Sequence, residues 1–140
     1  MIPRPDNWPA LLEAHLSEWD SKPFSYGDAD CVSFAAAWLS RLGYADPLAG
    51  LGKWDNAKEA ARIYKALGGF AHAVAAQLHA LGCERIEPAF ASRGDLVLVP
   101  AGAKGRHVLA IANGRLAEAH ADNGTVRMPI IPNATAAWRI

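Results

Sequence analysis

The stretch Phe24-Ser-Tyr-Gly-Asp-Ala-Asp-Cys-Val-Ser-Phe34 runs from a glycine-containing turn directly into an apolar segment. Asp30 is a residue type that favours the N-cap of a helix, which places Cys31 in the first helical turn. Free N–H groups and the positive end of the helix dipole in that turn favour a thiolate and lower the pKa of a cysteine. The stretch therefore predicts a helix that begins at Cys31 and a reactive sulfur there, with a buried, inert thiol as the alternative.

Helical spacing of apolar residues dominates the chain before residue 83. It predicts four helices, which cover Asp6–Trp19, Cys31–Leu42, Ala57–Leu67 and Phe70–Leu81. Glycines follow the last three of these segments and end them. His15 lies on the apolar face of the first helix and is predicted to be a core or rim histidine.

The pattern after residue 83 is typical of strands. The predicted strands are Leu96–Val99, His107–Ala112, Arg115–His120, Thr125–Met128 and Ala136–Ile140. A loop at 101–105 and turns at Asn113-Gly114 and Asn123-Gly124 separate them. Helices followed by a meander of antiparallel strands indicate an α+β protein, and the length fits one domain over residues 1–140.

The Asn113-Gly114 turn fixes the register of the hairpin around it. Counting outward from this two-residue turn places His107 opposite His120 and Leu109 opposite Glu118. Side chains alternate along a strand, so these four residues share one face, which is apolar enough to pack on a helix. Two facing imidazoles give a base and its orienting partner, which a cysteine nucleophile requires. Glu118 is the alternative orienting group if the turn is longer.

Composition excludes several classes of protein. Lys and Arg total 14, Asp and Glu total 14, and no basic run occurs, which argues against nucleic acid or an anionic membrane surface as partner. No apolar stretch is long enough to span a bilayer, and the start lacks the pattern of a signal peptide. We therefore expect synthesis in the cytoplasm and no membrane insertion.

The sequence predicts no cofactor. Cys31 and Cys83 could pair, but nothing in the sequence demands it, and Cys83 is predicted to be a packed thiol. Metal binding by Cys31, His107 and His120 is a weaker alternative.

Several of these features together resemble the NlpC-type cysteine peptidases, a papain-like superfamily, and most closely a branch encoded in phage and prophage tail modules. The matching residues are Tyr26-Gly27, Asp30-Cys31, Phe34, Gly94-Asp95-Leu96-Val97-Leu98, His107-Val108 and Ala137-Trp138-Arg139-Ile140. They extend over nearly the whole chain from Phe24 to Ile140, and their order and spacing are more specific than any single motif.

The resemblance implies a papain-like fold with a nucleophile at Cys31, a base at His107 and a third polar group at His120. It also implies a substrate, the peptide stems of bacterial peptidoglycan, cleaved at an amide bond. A phage-like tail would carry the enzyme and use it in the host cell envelope during entry.

Two positions differ from the common members of this family. Their oxyanion-binding tyrosine corresponds to Phe24, so either Tyr26 or the backbone N–H of Cys31 is the expected donor. Val32-Ser33 follows the cysteine where those members have Ser-Gly. A structural tail-assembly subunit that keeps the fold with little or no turnover is therefore the alternative function.

Overall fold

The computed structural model describes residues 2–102, 106–121 and 124–140 and shows helices packed on an antiparallel sheet. The helices are α1 (Trp8–Asp20), α2 (Cys31–Arg41), α3 (Ala57–Ala66), α4 (Phe70–Ala80) and the short α5 (Ile130–Asn133). The strands are β1 (Glu84–Ile86), β2 (Leu96–Pro100), β3 (His107–Asn113), β4 (Leu116–Ala121), β5 (Gly124–Pro129) and β6 (Ala136–Arg139). The predicted α+β class is confirmed. No helix in the described ranges is long and apolar enough to cross a membrane.

The sheet has the strand order β1-β6-β2-β3-β4-β5. The predicted helices and strands all occur, and their ends agree within two residues. Strand β1, a 3-10 turn at Pro88–Phe90 and helix α5 were not predicted, because three or four residues are too few to show a periodic pattern. The predicted loop at 101–105 and turn at Asn123-Gly124 include residues 103–105 and 122–123, which lie outside the described residues.

The two faces of the sheet are both apolar, but they differ in side-chain size. Helices α1 and α2 cover the face that carries larger residues, namely Leu96, Leu98, Leu109, Ile111 and Trp138. The opposite face carries smaller ones, namely Val97, Val99, Ala110, Ala112, Ala117, Ala119 and Ala137. Helix α2, which begins at Cys31, packs on β3 and β4, the strands that carry the two candidate histidines.

The Arg93-Gly94-Asp95 turn connects the two ends of the described chain. Asp95 is 1% exposed, and its Oδ1 accepts hydrogen bonds from Arg4 Nη2 at 2.8 Å and from the backbone N–H of Ile140 at 3.0 Å. Trp38 Nε1 on α2 donates to the carbonyl of Gly94 at 2.8 Å. A buried carboxylate with these partners stabilises the fold, so the role of this turn is structural.

Candidate active site

Helix α2 begins at Cys31 because Asp30 caps it. The Oδ1 atom of Asp30 accepts from the backbone N–H of Ser33 at 2.8 Å, and the Oγ atom of Ser33 accepts from the backbone N–H of Asp30 at 2.9 Å. These reciprocal bonds form a capping box, which satisfies two backbone donors at the helix start. The predicted cap is therefore confirmed, and Ser33 has a structural role in it.

The other oxygen of Asp30 holds two segments against the helix start. Its Oδ2 accepts from the backbone N–H of Gly27 and from Trp54 Nε1, each at 2.8 Å. Gly27 has φ +85°, and a Cβ atom there would lie 2.1 Å from the carbonyl oxygen of Trp54. Only glycine fits this approach, so the turn and the Trp54 loop meet directly beside Cys31.

The sulfur of Cys31 lies near the backbone N–H of Leu109, which favours the charged form of the sulfur. Ala112 exchanges backbone hydrogen bonds with Gly94 and Asp95 on the β2 side, at 2.8 Å each. Backbone groups alternate in direction along a strand, so the N–H of Leu109 points to the β4 side. Among the described residues, the pairing of β3 with β4 ends at Ile111–Glu118. The N–H of Leu109 lies beyond this last pair, so it can interact with the Cys31 sulfur.

Burial raises the pKa of the Cys31 thiol to about 12, and the negative charge of Asp30 acts in the same direction. Backbone hydrogen bonds from Leu109, Cys31 and Val32 lower it, but they do not offset the desolvation. The prediction of a lowered pKa is therefore wrong. The resting group is a thiol, and it needs a base at the moment of attack.

The hairpin has a different register from the predicted one. The structure pairs Asn113 with Leu116 and Ile111 with Glu118, so Gly114 and Arg115 form the two-residue turn. Gly114 has φ +69°, which suits the first position of a type II′ turn. Extended along both strands, this register places Leu109 opposite His120, so the prediction that His107 and His120 face each other is wrong.

The change in hairpin register does not affect the prediction that both histidines lie on the helix-facing side of the sheet. Moving the turn by one residue changes the pairing by two positions in total, and side-chain direction repeats every two residues. His107 is thus one alternate position from Leu109 on β3, about 6–7 Å along the strand. His107 therefore lies on the same face of the sheet as Leu109, the residue whose backbone is next to the Cys31 sulfur, and is the next residue on that face along β3.

His120 is fully buried among aromatic rings. Trp19 lies edge-on to it at 5.3 Å between ring centroids, and Phe24 lies nearly parallel at 6.4 Å. Neither ring nitrogen of His120 has a hydrogen-bond partner in the described residues, and the same holds for Nδ1 of His107. The predicted hydrogen bond that would let His120 orient His107 is therefore not formed in this arrangement.

The remaining predicted site residues take other positions. Glu118 accepts from Asn113 Nδ2 at 2.6 Å and from Arg127 Nε at 2.9 Å, and no described hydrogen bond joins it to His107. The Tyr26 ring packs edge-on against Phe24 at 4.9 Å and contacts the same apolar cluster as Cys31. Glu118 is thus engaged in the hairpin, whereas Tyr26 packs against the same cluster as Cys31.

Sequence reasoning missed Tyr64 and Trp54 as neighbours of the site. Trp54 belongs to an apolar cluster of α3, α4 and the preceding loop, and both Tyr64 and Cys31 pack against this cluster. Tyr64 and Trp54 are far from Cys31 along the chain, and a tryptophan in a Gly- and Pro-rich loop gives no periodic signal. The indole hydrogen bond to Asp30 shows that Trp54 closes this side of the site.

His15 and Cys83 are core residues, as predicted. His15 is buried between α1 and α2, its Nε2 bonds to the carbonyl of Phe34 at 3.0 Å, and burial lowers its pKa to about 4. Cys83 is buried with its sulfur 3.9 Å from the Tyr44 hydroxyl, and both cysteines are free. Within the described ranges no three His, Cys, Asp or Glu side chains could hold one metal ion, so the metal alternative is wrong for Cys31, His107 and His120.

The fold and site define an α+β domain with a cysteine at the start of a helix that packs on a histidine-bearing antiparallel sheet. The chain belongs to the family described as Domain of unknown function (DUF6950), whose model matches residues 3–140. A search of curated proteins found no match.

Proposed function

We propose that this domain is a papain-like, NlpC-type cysteine peptidase or amidase that hydrolyses peptide stems of bacterial peptidoglycan. The observation that carries the proposal is the contact of the Cys31 sulfur with Leu109, one alternate position from His107 on the same face of β3. A thiol at a helix start with an imidazole beside it is the arrangement used for acyl transfer. Attachment to a phage-like tail is part of the proposal and rests on the sequence resemblance.

The proposed reaction has two steps. The imidazole of His107 takes the proton of Cys31 as the sulfur bonds to the substrate carbonyl carbon, and the π electron pair moves to the oxygen. The carbonyl then re-forms, the C–N bond breaks, and the imidazolium gives its proton to the leaving amine. Water, deprotonated by His107, attacks the thioester, which releases a carboxylic acid and restores the thiol.

The backbone supplies donors for the negative oxygen. Cys31 and Val32 occupy the first two positions of α2, where backbone N–H groups have no acceptor within the helix. The backbone N–H of Ser33 is already bonded to Asp30. His120 would serve as the third polar group only after its ring or that of His107 rotates, because the two are not hydrogen-bonded here.

A structural tail subunit without turnover is the second candidate function. Burial raises the pKa of Cys31, and the imidazole of His120 is enclosed by Trp19, Phe24 and Phe34. Both observations fit a site that no longer opens to substrate. The two functions differ in one measurable property, namely whether His107 assists the sulfur.

The pH dependence of alkylation separates the two functions. In a Cys83→Ser background, we expect iodoacetamide to modify Cys31 faster at neutral pH, and with a weaker dependence on pH, than its thiolate fraction alone allows, because His107 takes the thiol proton as the sulfur attacks. An unassisted thiol with a pKa of about 12 would instead react about tenfold faster for each pH unit up to pH 11, as its thiolate fraction grows. Mass spectrometry of the intact protein measures the rate.

The matched variant is His107→Ala in the same background. It should show the full pH dependence of an unassisted thiol and react at least roughly tenfold more slowly at pH 7. Equal profiles for the two proteins, each rising without a break, would contradict the enzyme and support the structural subunit.

A further inference from the structure

Tyr64 on α3 carries a buried hydroxyl without a hydrogen-bond partner among the described residues. Leaving a buried hydroxyl unpaired costs roughly 1–3 kcal/mol, so its position needs an explanation. The ring is held in place by Phe70, edge-on at 4.8 Å, and by Trp54 at 5.5 Å. These contacts fix the direction of the hydroxyl and leave little freedom for it to find another partner.

The fixed hydroxyl lies on the side of the site formed by the Trp54 loop. Trp54 itself donates to Asp30, the residue that caps α2 immediately before Cys31. Tyr64 and Cys31 pack against the same cluster of Val32, Leu51, Trp54, Ala60 and Ala73. Burial, with the negative charges of Cys31 and Asp30 as smaller causes, raises the pKa of Tyr64 above its usual value, so the phenol keeps its proton and remains a donor.

We propose that the Tyr64 hydroxyl donates a hydrogen bond to the negative oxygen of the tetrahedral adduct on Cys31, as a catalytic residue of the reaction proposed above. The assignment rests on that proposed function. Tyr64 and Cys31 pack against the same apolar cluster. The Tyr64 hydroxyl is buried and has no partner among the described residues, so it is available to a new acceptor formed on the sulfur.

The proposal also accounts for the phenylalanine at position 24. Phe24 has no hydroxyl, and its ring is packed between Tyr26 and His120. Tyr64 lies on α3, on the side of the Trp54 loop. The hydroxyl would therefore be supplied by a different helix.

A peptide aldehyde tests this donor without requiring turnover. Acetyl-alanyl-alaninal adds reversibly to a cysteine thiol, forming one C–S bond and placing the thiol proton on the former carbonyl oxygen or on the nearby imidazole. In the Cys83→Ser background, its affinity is measured as protection of Cys31 from iodoacetamide. We expect Tyr64→Phe to weaken the adduct roughly tenfold or more, because an oxyanion donor is lost. Tyr44→Phe, which removes a phenol hydroxyl beside residue 83 and outside the site, is the matched control and should change the affinity less than twofold.

Direct alkylation of Cys31 is the second readout. Iodoacetamide reacts by displacement at a saturated carbon and develops no oxyanion, so Tyr64→Phe should alkylate at the wild-type rate. Aldehyde affinity that is equal in wild type and Tyr64→Phe would overturn the assignment and leave the proposed function standing. Adduct formation that depends on Tyr64, in a protein that releases nothing from peptidoglycan, would support the donor and contradict the substrate. Absence of any adduct on Cys31 in the wild type would overturn both.

Discussion

Peptidoglycan incubated with the Cys31→Ala protein is expected to release no more free amino groups than a buffer blank, whereas the wild type releases them steadily. Removal of the nucleophile eliminates the covalent step, and losses of at least roughly 10³-fold are usual when such a residue is removed. His107→Ala should give a loss of similar size, because the resting sulfur is a thiol and cannot attack without a base. Amine-specific labelling of the soluble fragments measures the product.

The Cys83→Ser protein is the matched control for this experiment. Cys83 is buried on the far side of the core beside Tyr44, and it should keep wild-type activity. Release of amino groups by Cys31→Ala at the wild-type rate would refute Cys31 as the nucleophile. Equal loss in Cys31→Ala and Cys83→Ser would instead trace the effect to damage of the fold.

Replacing Asp30 with alanine is expected to reduce the free energy of unfolding by about 3–5 kcal/mol. The carboxylate is 6% exposed and accepts hydrogen bonds from Ser33, Gly27 and Trp54. Its removal takes away the helix cap and leaves buried donors of the turn and of the Trp54 loop without an acceptor. Urea unfolding followed by tryptophan fluorescence measures the change.

Asn56→Ala provides a comparison within the same protein. Asn56 caps α3 through a single bond to the backbone N–H of Glu59 at 2.9 Å, and it lies at the surface. Its loss should cost only about 1 kcal/mol, as for an ordinary cap. Destabilisation by Asp30→Ala no greater than that of Asn56→Ala would show that Asp30 does not join the turn, α2 and the Trp54 loop.

Local signals in the sequence were sufficient to predict the longer helices and strands and the residue at which α2 begins. An N-cap depends on residues within one turn, so Asp30 and Cys31 could be placed from their neighbours alone. The face that carries His107 and His120 was also predictable, because the two-residue repeat of a strand is insensitive to the shift that occurred. The hairpin turn and the thiol pKa were not predictable in this way.

The hairpin turn lies one residue later than predicted because the side chain of Asn113 has hydrogen-bond partners that are distant in sequence or across the hairpin. Its side chain donates to Glu118 and accepts from Arg93 Nε at 3.0 Å, which keeps Asn113 in the strand and leaves the turn to Gly114 and Arg115. The pKa of Cys31 depends on how completely α2, β3 and the Trp54 loop exclude water, and a helix dipole argument contains none of that packing. Tyr64 was missed for the same reason.

The central claim of this account is that the imidazole of His107 acts as the base that takes the proton of the Cys31 thiol. The reagent 1,3-dibromoacetone tests it directly, since one end alkylates a thiol and the other end then reacts only with a nucleophile within reach of its three-carbon bridge. Mass spectrometry of digested protein, in the Cys83→Ser background, should find the peptide of Cys31 joined to that of His107. A Cys31 adduct that is joined to another residue, or to none, would contradict the account.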